Sequence, residues 1–120
     1  MKGWIIISSM LLLTACSSAT ERHQSMTMDQ IEQRVQLPAD ALNLDKYARY
    51  YASDGNRVIG TYVTLVDPQN QYYDLPTGKR RWLQDHRNLP AISDGGCSVV
   101  NVFYDPAIER VERVFCNGVA

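Results

Sequence analysis

The sequence predicts an α+β domain: a short N-terminal helix packed on a four- to six-stranded antiparallel meander, with one disulfide. Three features indicate this fold. A stripe of apolar residues at helical spacing comes first, β-rich segments separated by turn residues follow, and two cysteines, Cys97 and Cys116, lie near the C-terminal end. A helix and a meander with one apolar face each bury those faces against one another in the α+β layer arrangement.

Residues 1–15 are predicted to be a signal peptide. Lys2 supplies a positive charge, and residues 3–13 form an apolar stretch of eleven residues. A membrane-spanning helix needs about 20 apolar residues. The stretch therefore fits a signal peptide better than a transmembrane helix.

The stretch ends in Leu13-Thr14-Ala15-Cys16, which resembles the lipobox of bacterial lipoproteins. The resemblance implies cleavage before Cys16, lipidation of its thiol and acylation of the new N-terminus. Because stable anchoring takes more than one lipid chain, a triacylated Cys16 would hold the protein on a membrane. Ser17 stands where enteric lipoproteins of the inner membrane have aspartate, which implies the periplasmic face of the outer membrane. The alternative is an ordinary signal peptide with a chance cysteine.

The remaining residues divide into a tether and one domain. Residues 16–26 are polar and lack apolar periodicity, so we expect a lipidated N-terminus and a flexible tether there. Residues 27–120 form the predicted small α+β domain. Without residues 1–15, 11 basic and 13 acidic side chains remain, a balance that gives no reason to expect a nucleic-acid partner.

The helix is predicted to begin at Thr27, because residues 27–30 (TMDQ) match a capping box. An apolar stripe at helical spacing follows: Met28, Ile31 and Val35. The helix should end near Leu37, since Pro38 disfavours helical conformation in the residue before it.

Turn residues predict the central strands. Asp54-Gly55 lies between β-rich residues 47–52 and 57–66, which is a strong hairpin signal. Three further elements are expected: a turn at 67–70, a second hairpin of residues 72–75 and 79–84, and a loop at 85–96.

The last hairpin is predicted to carry the disulfide. Residues 97–104 and 110–116 flank Asp105-Pro106, and a register that pairs Val99 with Val114 also places Cys97 opposite Cys116. Such partners have Cβ atoms about 4.5–5.5 Å apart, near the spacing of a disulfide. Because the periplasm is oxidising, we predict a structural bond. The same register predicts a core face, interrupted by Arg113, of Val100, Val102, Tyr104, Val111 and Phe115.

Residues 26–31 (MTMDQI) are similar to the M-T-x-x-Q-V helix start of the small SmpA/OmlA-type lipoproteins of the outer-membrane protein assembly machine. Ser25 stands where that family usually has glycine. The resemblance implies a lipobox, a tether, a helix, and a three-stranded meander that ends in a hairpin.

The densest basic stretch is Lys79-Arg80-Arg81-Trp82. Strand alternation places Lys79 and Arg81 on one face and Arg80 and Trp82 on the other. A cation–aromatic surface there can bind lipid phosphates or peptidoglycan carboxylates. The alternative is a solvated strand end with Trp82 in the core. The seven tyrosines pose the same choice between an interface and half-buried strand positions.

His86, the single histidine of the predicted domain, is the starting point for an enzyme alternative. Cys97 is then the candidate nucleophile, although a bond to Cys116 removes its thiol. The sequence holds no metal-ligand spacing and no phosphate-binding glycine loop, so we expect no metal or cofactor.

The sequence thus predicts a non-enzymatic lipoprotein of the outer membrane that binds an envelope protein or peptidoglycan through its sheet surface. The alternative is a small envelope hydrolase or thiol enzyme that uses His86. Geometry separates the two. A concave site gathering His86, Asp94 and a hydroxyl or thiol favours the enzyme, whereas a flat aromatic and basic surface favours the binding protein.

Overall fold

The structure is a computed structural model that describes Gly3 and residues 15–119, without the side chains of residues 15–18. Most of the predicted signal peptide and the side chain of Cys16 lie outside the described residues. The main elements, in chain order, are α1 (Ala15–Arg34), β1 (Ala48–Asp54), β2 (Arg57–Val63), β3 (Arg80–Trp82), β4 (Val99–Asp105) and β5 (Arg110–Cys116).

The five strands form one sheet in the order β3-β1-β2-β4-β5. The α+β fold is therefore confirmed, but the sheet is mixed, because β3 runs parallel to β1 while the other neighbours are antiparallel. The hairpin predicted at the first turn is confirmed: Asp54 pairs with Arg57 across Gly55 and Asn56.

The predicted second hairpin, of residues 72–75 and 79–84, is wrong. Leu75 is buried against the sheet instead of pairing with a strand. The chain after it pairs with the free edge of β1: Gly78 N donates to Tyr47 O and Arg49 N donates to Lys79 O, both at 2.9 Å. The unpaired groups of β1 attract this segment, and the long connection lets it approach in the parallel direction.

The helix is longer than predicted. It begins at Ala15, so Thr27 lies inside it, and the Thr27 hydroxyl donates to the His23 carbonyl at 2.9 Å. The capping-box prediction is therefore wrong, and residues 16–26, predicted as a tether, are helical. This segment has no glycine or proline, the residues that cost most in a helix interior. The helix ends at Arg34, before Pro38 as expected.

The helix covers one face of the sheet. Met28 and Ile31 pack there on a group of tyrosines and valines: Tyr47, Tyr51, Val58, Tyr62, Val100, Val102 and Tyr104. The Tyr51 and Tyr62 hydroxyls lie 2.8 Å apart. Burial raises the pKa of both phenols above the ordinary value, which keeps them neutral. For Tyr50 and Tyr51, the alternative of strand positions is confirmed, since both lie in β1 with buried side chains, whereas Tyr47 is buried but precedes the strand.

The connection between β2 and β4 covers part of the opposite face. Leu75, Leu83 and Leu89 pack against β1 and the adjacent strand ends. The Tyr50 hydroxyl accepts a hydrogen bond from Leu75 N at 3.1 Å. This layer lies over the β1 side of the sheet.

The disulfide between Cys97 and Cys116 is confirmed, with Cα atoms 4.6 Å apart. The predicted register is wrong, however, because Val100 pairs with Cys116 and Val102 with Val114. Cys97 precedes β4 in the single turn Gly96–Ser98. Gly95 and Gly96, with φ of 98° and 56°, make the turn that brings the cysteine to its partner.

A bulge in β5 changes the predicted core face. Phe103 pairs with Arg113 and Tyr104 with Val111, so Glu112 is the extra residue. Val100, Val102, Tyr104 and Val111 contact the helix-side core as predicted. Phe115 lies on the other face, which corrects the prediction, because one inserted residue reverses the side to which the following residues point.

Candidate binding surface

Phe103, Phe115 and Arg113 form an aromatic–arginine surface on the face opposite the helix. Strand pairing produces it: Phe103 is opposite Arg113, and Phe115 follows Arg113 by two positions on the same face. The two rings stack with centroids 5.8 Å apart and planes 18° apart. The Arg113 guanidinium carbon lies 4.7 Å from the Phe115 centroid and 5.7 Å from that of Phe103. Each contact is within cation–π range.

This surface is open to solvent. Arg113 is exposed and both phenylalanines are half-buried. Among the described ion pairs, none includes Arg113 or Arg110. Arg113 thus has cation–π contacts but no carboxylate, so its charge is available to an anionic group.

An amide ladder holds the neighbouring loop in place. Asn101 Nδ2 donates to Asn117 Oδ1 at 2.7 Å, and Asn117 Nδ2 donates to the carbonyls of Ile92 and Asp94 at 2.6 and 3.0 Å. Asn101 pairs with Phe115, so the ladder lies directly beside the aromatic rings. No sequence pattern indicates this role of Asn117, because its partners are more than 15 positions away along the chain.

The stretch Lys79–Trp82 does not come together with this surface, since β3 and β5 are the two edges of the sheet. Its predicted alternation is confirmed. Arg80 contacts Asp29 and Glu32 of the helix at 2.8 and 2.9 Å, whereas Arg81 contacts Asp74 at 2.8 Å on the other side. Arg80 thus holds the helix on the sheet. Burial lowers the pKa of Arg80, but its hydrogen bonds to Glu32 and Asp29 outweigh this effect and raise it above the ordinary value.

Trp82 is half-buried and packs against the helix-side core, while Lys79 is exposed. Binding of an anionic partner at this stretch stays a prediction. Two of its three cations already have carboxylate partners within the domain, which leaves Lys79 as the side chain with most freedom to contact another molecule.

His86 lies on the surface in the single turn His86–Asn88, its side chain 41% exposed. Its Nε2 is 3.7 Å from Asp54 Oδ1. Asp85 is engaged with Arg87, whose guanidinium and backbone N–H donate to it and lower the pKa of Asp85 to about 2. Cys97 carries no free thiol, since it is bonded to Cys116. The predicted thiol nucleophile is therefore not formed.

Two surface grooves flank β5 and the first hairpin. The first, which we name the β5 groove, has a volume of about 330 Å³ and is lined by Arg34, Gln36, Val111, Glu112, Arg113 and Val114. The second, of about 380 Å³, is lined by Asp54, Asn56, Arg57 and Asp105. His86 lines neither groove. Among residues 15–119, no three His, Cys, Asp or Glu side chains are grouped as metal ligands.

Searches of protein-family models, curated proteins and solved structures found no match to this chain. The similarity of residues 26–31 to SmpA/OmlA-type lipoproteins therefore stays a prediction. In the part of the chain that the structure describes, no helix is both long and apolar enough to cross a membrane.

Proposed function

We propose that this protein is a non-enzymatic lipoprotein, anchored through Cys16 to the periplasmic face of the outer membrane, that binds an envelope protein or peptidoglycan. The observation that carries the proposal is the aromatic–arginine surface: two stacked rings with an arginine that is in none of the described ion pairs. Aromatic residues and arginine are enriched in binding interfaces, where they supply most of the binding energy. The surface is part of a sheet rather than a concave site, and this favours binding over catalysis.

The direction of α1 supports the anchoring. The helix crosses the sheet from the β3 side, where Arg80 contacts Ser25 and Asp29, to the β5 side, where Arg34 lies 3.8 Å from Glu109. Residues 19–23, which precede the β3 contacts along the helix, are exposed. At 1.5 Å per residue, Cys16 lies about 13 Å beyond Ser25 along the helix.

The same geometry separates the anchor from the surface. Four strand spacings lie between β3 and β5, which amount to about 19 Å. A lipid at the start of the helix therefore leaves the β5 side of the domain free to meet a partner away from the bilayer. The disulfide between Cys97 and Cys116 fits an oxidising compartment such as the periplasm.

Site-specific crosslinking in cells tests the proposal. A photo-crosslinking amino acid at Phe115 should form adducts with an envelope protein or with peptidoglycan fragments. The matched control is the same amino acid at Lys46, an exposed residue of the turn Leu44–Lys46. Arg113→Ala should reduce the Phe115 adducts without changing the melting temperature, since Arg113 is exposed. Equal adducts from both positions, or none from Phe115, would contradict the proposal.

A further inference from the structure

The outer edge of β5 is unpaired. β5 is the last strand of the sheet, and among the described residues no backbone group outside β4 bonds to its strand residues. Seven residues with a free edge are long enough to guide the pairing of another strand. By comparison, the other edge strand, β3, has three residues.

The backbone groups that point outward can be assigned. Asn117 N donates to Val99 O at 3.0 Å, so this pair is a hydrogen-bonded pair of the β4–β5 ladder. Such pairs alternate along an antiparallel ladder, so Phe115 and Arg113 also bond to β4. The N–H and C=O groups of Val114 and Cys116 therefore point away from the sheet.

The β5 groove lies along this edge. The opposite wall is the end of α1, at Arg34, and the chain just after it, at Gln36. Its volume of about 330 Å³ is at the low end of that of ligand pockets, and it is open along β5. The edge thus has both backbone hydrogen-bonding groups and a second wall to contact an extended chain.

The charges and apolar side chains along β5 indicate which kind of peptide segment could pair with this edge. Arg110 and Arg113 lie on the face of the aromatic–arginine surface, and neither takes part in a described ion pair, although Asp105 is the cross-strand partner of Arg110. Glu112, by contrast, is bonded to Arg57 at 3.1 Å. On the helix side, Val111 and Val114 present apolar surface.

We propose that the β5 edge binds an extended peptide segment of a partner protein as a sixth strand, with acidic and β-branched residues in alternation. The acidic side chains lie next to Arg110 and Arg113, and the β-branched side chains contact Val111 and Val114. Main-chain hydrogen bonds supply affinity and the alternating side chains supply selectivity, as in other cases of strand addition. The inference rests on the proposed function and narrows the partner to a protein with an acidic, extended segment.

A second copy of this chain fits the edge less well. Antiparallel pairing of two β5 strands keeps each face on its own side, so four arginines, Arg110 and Arg113 from both copies, would share one face. Like charges on neighbouring strands are destabilising.

The test uses the protein purified from membranes in detergent and a fluorescent peptide as long as β5, made of alternating valine and glutamate. Fluorescence anisotropy should show binding in the micromolar range. N-methylation of the peptide amides that face β5 should weaken binding by roughly tenfold or more, because it removes main-chain hydrogen bonds. Arg113→Glu should weaken binding of the valine–glutamate peptide by a similar factor. The same variant should bind a valine–lysine peptide more tightly than the native protein does. Lys46→Glu is the control and should change neither affinity.

Val114→Pro is the second variant. It removes the outward N–H without removing a bond to β4, and it should abolish binding of the valine–glutamate peptide while the disulfide still forms. Three outcomes would overturn the proposal: no peptide binding, equal binding of the N-methylated peptide, or a dimer in sedimentation that competes with the peptide. If crosslinks form at Phe115 but no peptide binds, the strand addition is wrong and the proposed function stands. If the peptide binds but Phe115 gives no adduct in cells, the strand addition stands and the proposed function is wrong.

Discussion

Glu32 of α1 lies 2.9 Å from the Arg49 guanidinium of β1, and both side chains are nearly buried, at 13% and 10% exposed. The other Glu32 oxygen accepts from Arg80 at 2.9 Å. One carboxylate thus joins the helix to two adjacent strands. Arg49 Nη1 also donates to the Leu44 and Tyr47 carbonyls at 3.3 and 3.4 Å, but among the described ion pairs Glu32 is the only carboxylate that contacts Arg49.

We therefore predict that Glu32→Ala is strongly destabilising. It leaves the nearly buried Arg49 charge without a carboxylate, a change that costs about 3–5 kcal/mol in other proteins. The free energy of unfolding, measured in urea by circular dichroism, should fall by that order. Asp29→Ala is the matched control, since Asp29 also pairs with Arg80 but is 54% exposed. The free energy of unfolding of Asp29→Ala should fall by less than about 1 kcal/mol. Similar losses for both variants would show that Glu32 has no special role.

How far the sequence predicts the fold depends on the distance over which each signal acts. Asp54-Gly55 predicts the first hairpin because the turn and its strands are adjacent in the chain. The disulfide is likewise predictable, because its two cysteines flank one predicted hairpin and the sequence predicts export to an oxidising compartment. The pairing of β1 with β3 is not, since Arg49 and Arg80 are far apart in sequence and both strand directions satisfy the backbone.

The candidate site could be predicted only in part: the sequence indicates the faces of β3 but not the aromatic–arginine surface on β4 and β5. Strand alternation gives the faces of β3 correctly, because this strand has no irregularity. On β5 the bulge at Glu112 reverses the face of Phe115, and residue types near the turn do not specify a bulge. The stacking of Phe103 and Phe115 therefore emerges from the register and not from the composition. The role of Glu32 could not be predicted from composition either, because its partners lie on two other elements.

Reduction of the disulfide should destabilise the domain. Cys97 and Cys116 are 19 positions apart, and closing a loop of this size contributes on the order of 3 kcal/mol by the chain-entropy model. In the native, unreduced protein both thiols should resist labelling. The double variant Cys97→Ser/Cys116→Ser should melt at a lower temperature, and a reductant should lower the melting temperature of the native protein but not of the variant. Free reaction of both thiols in unreduced protein would contradict the bond.

Acid should release the contact between Asp85 and Arg87. The hydrogen bonds from Arg87 lower the pKa of Asp85 to about 2 in the folded protein, below the roughly 3.9 of an unfolded chain. A carboxyl with a lowered folded pKa stabilises the fold above the unfolded pKa and loses that contribution as pH falls through the folded value. The contribution of Asp85 should therefore be complete above about pH 4 and decline toward pH 2.

An NMR titration of the Asp85 carboxyl carbon should give a midpoint near pH 2. Arg87→Ala should return the midpoint toward about 3.9. Because Asp85 and Arg87 form this contact on the surface, high salt should raise the midpoint in the native protein. A midpoint that is the same in the native protein and in Arg87→Ala would exclude Arg87 as the cause.

The anchor is tested by two substitutions at adjacent positions. With Cys16→Ser, the thiol that the lipobox resemblance marks for lipidation is lost, so labelled palmitate should not enter the protein and uncleaved precursor should accumulate. Ser17→Asp keeps Cys16 and should therefore keep the lipid, but it introduces the residue of inner-membrane retention. In an enteric host the Ser17→Asp protein should fractionate with the inner membrane and the native protein with the outer membrane. Palmitate incorporation by Cys16→Ser would contradict lipidation at this residue. Native protein that fractionates with the inner membrane would contradict the outer-membrane destination, whereas Ser17→Asp that stays in the outer membrane would contradict only the sorting role of position 17.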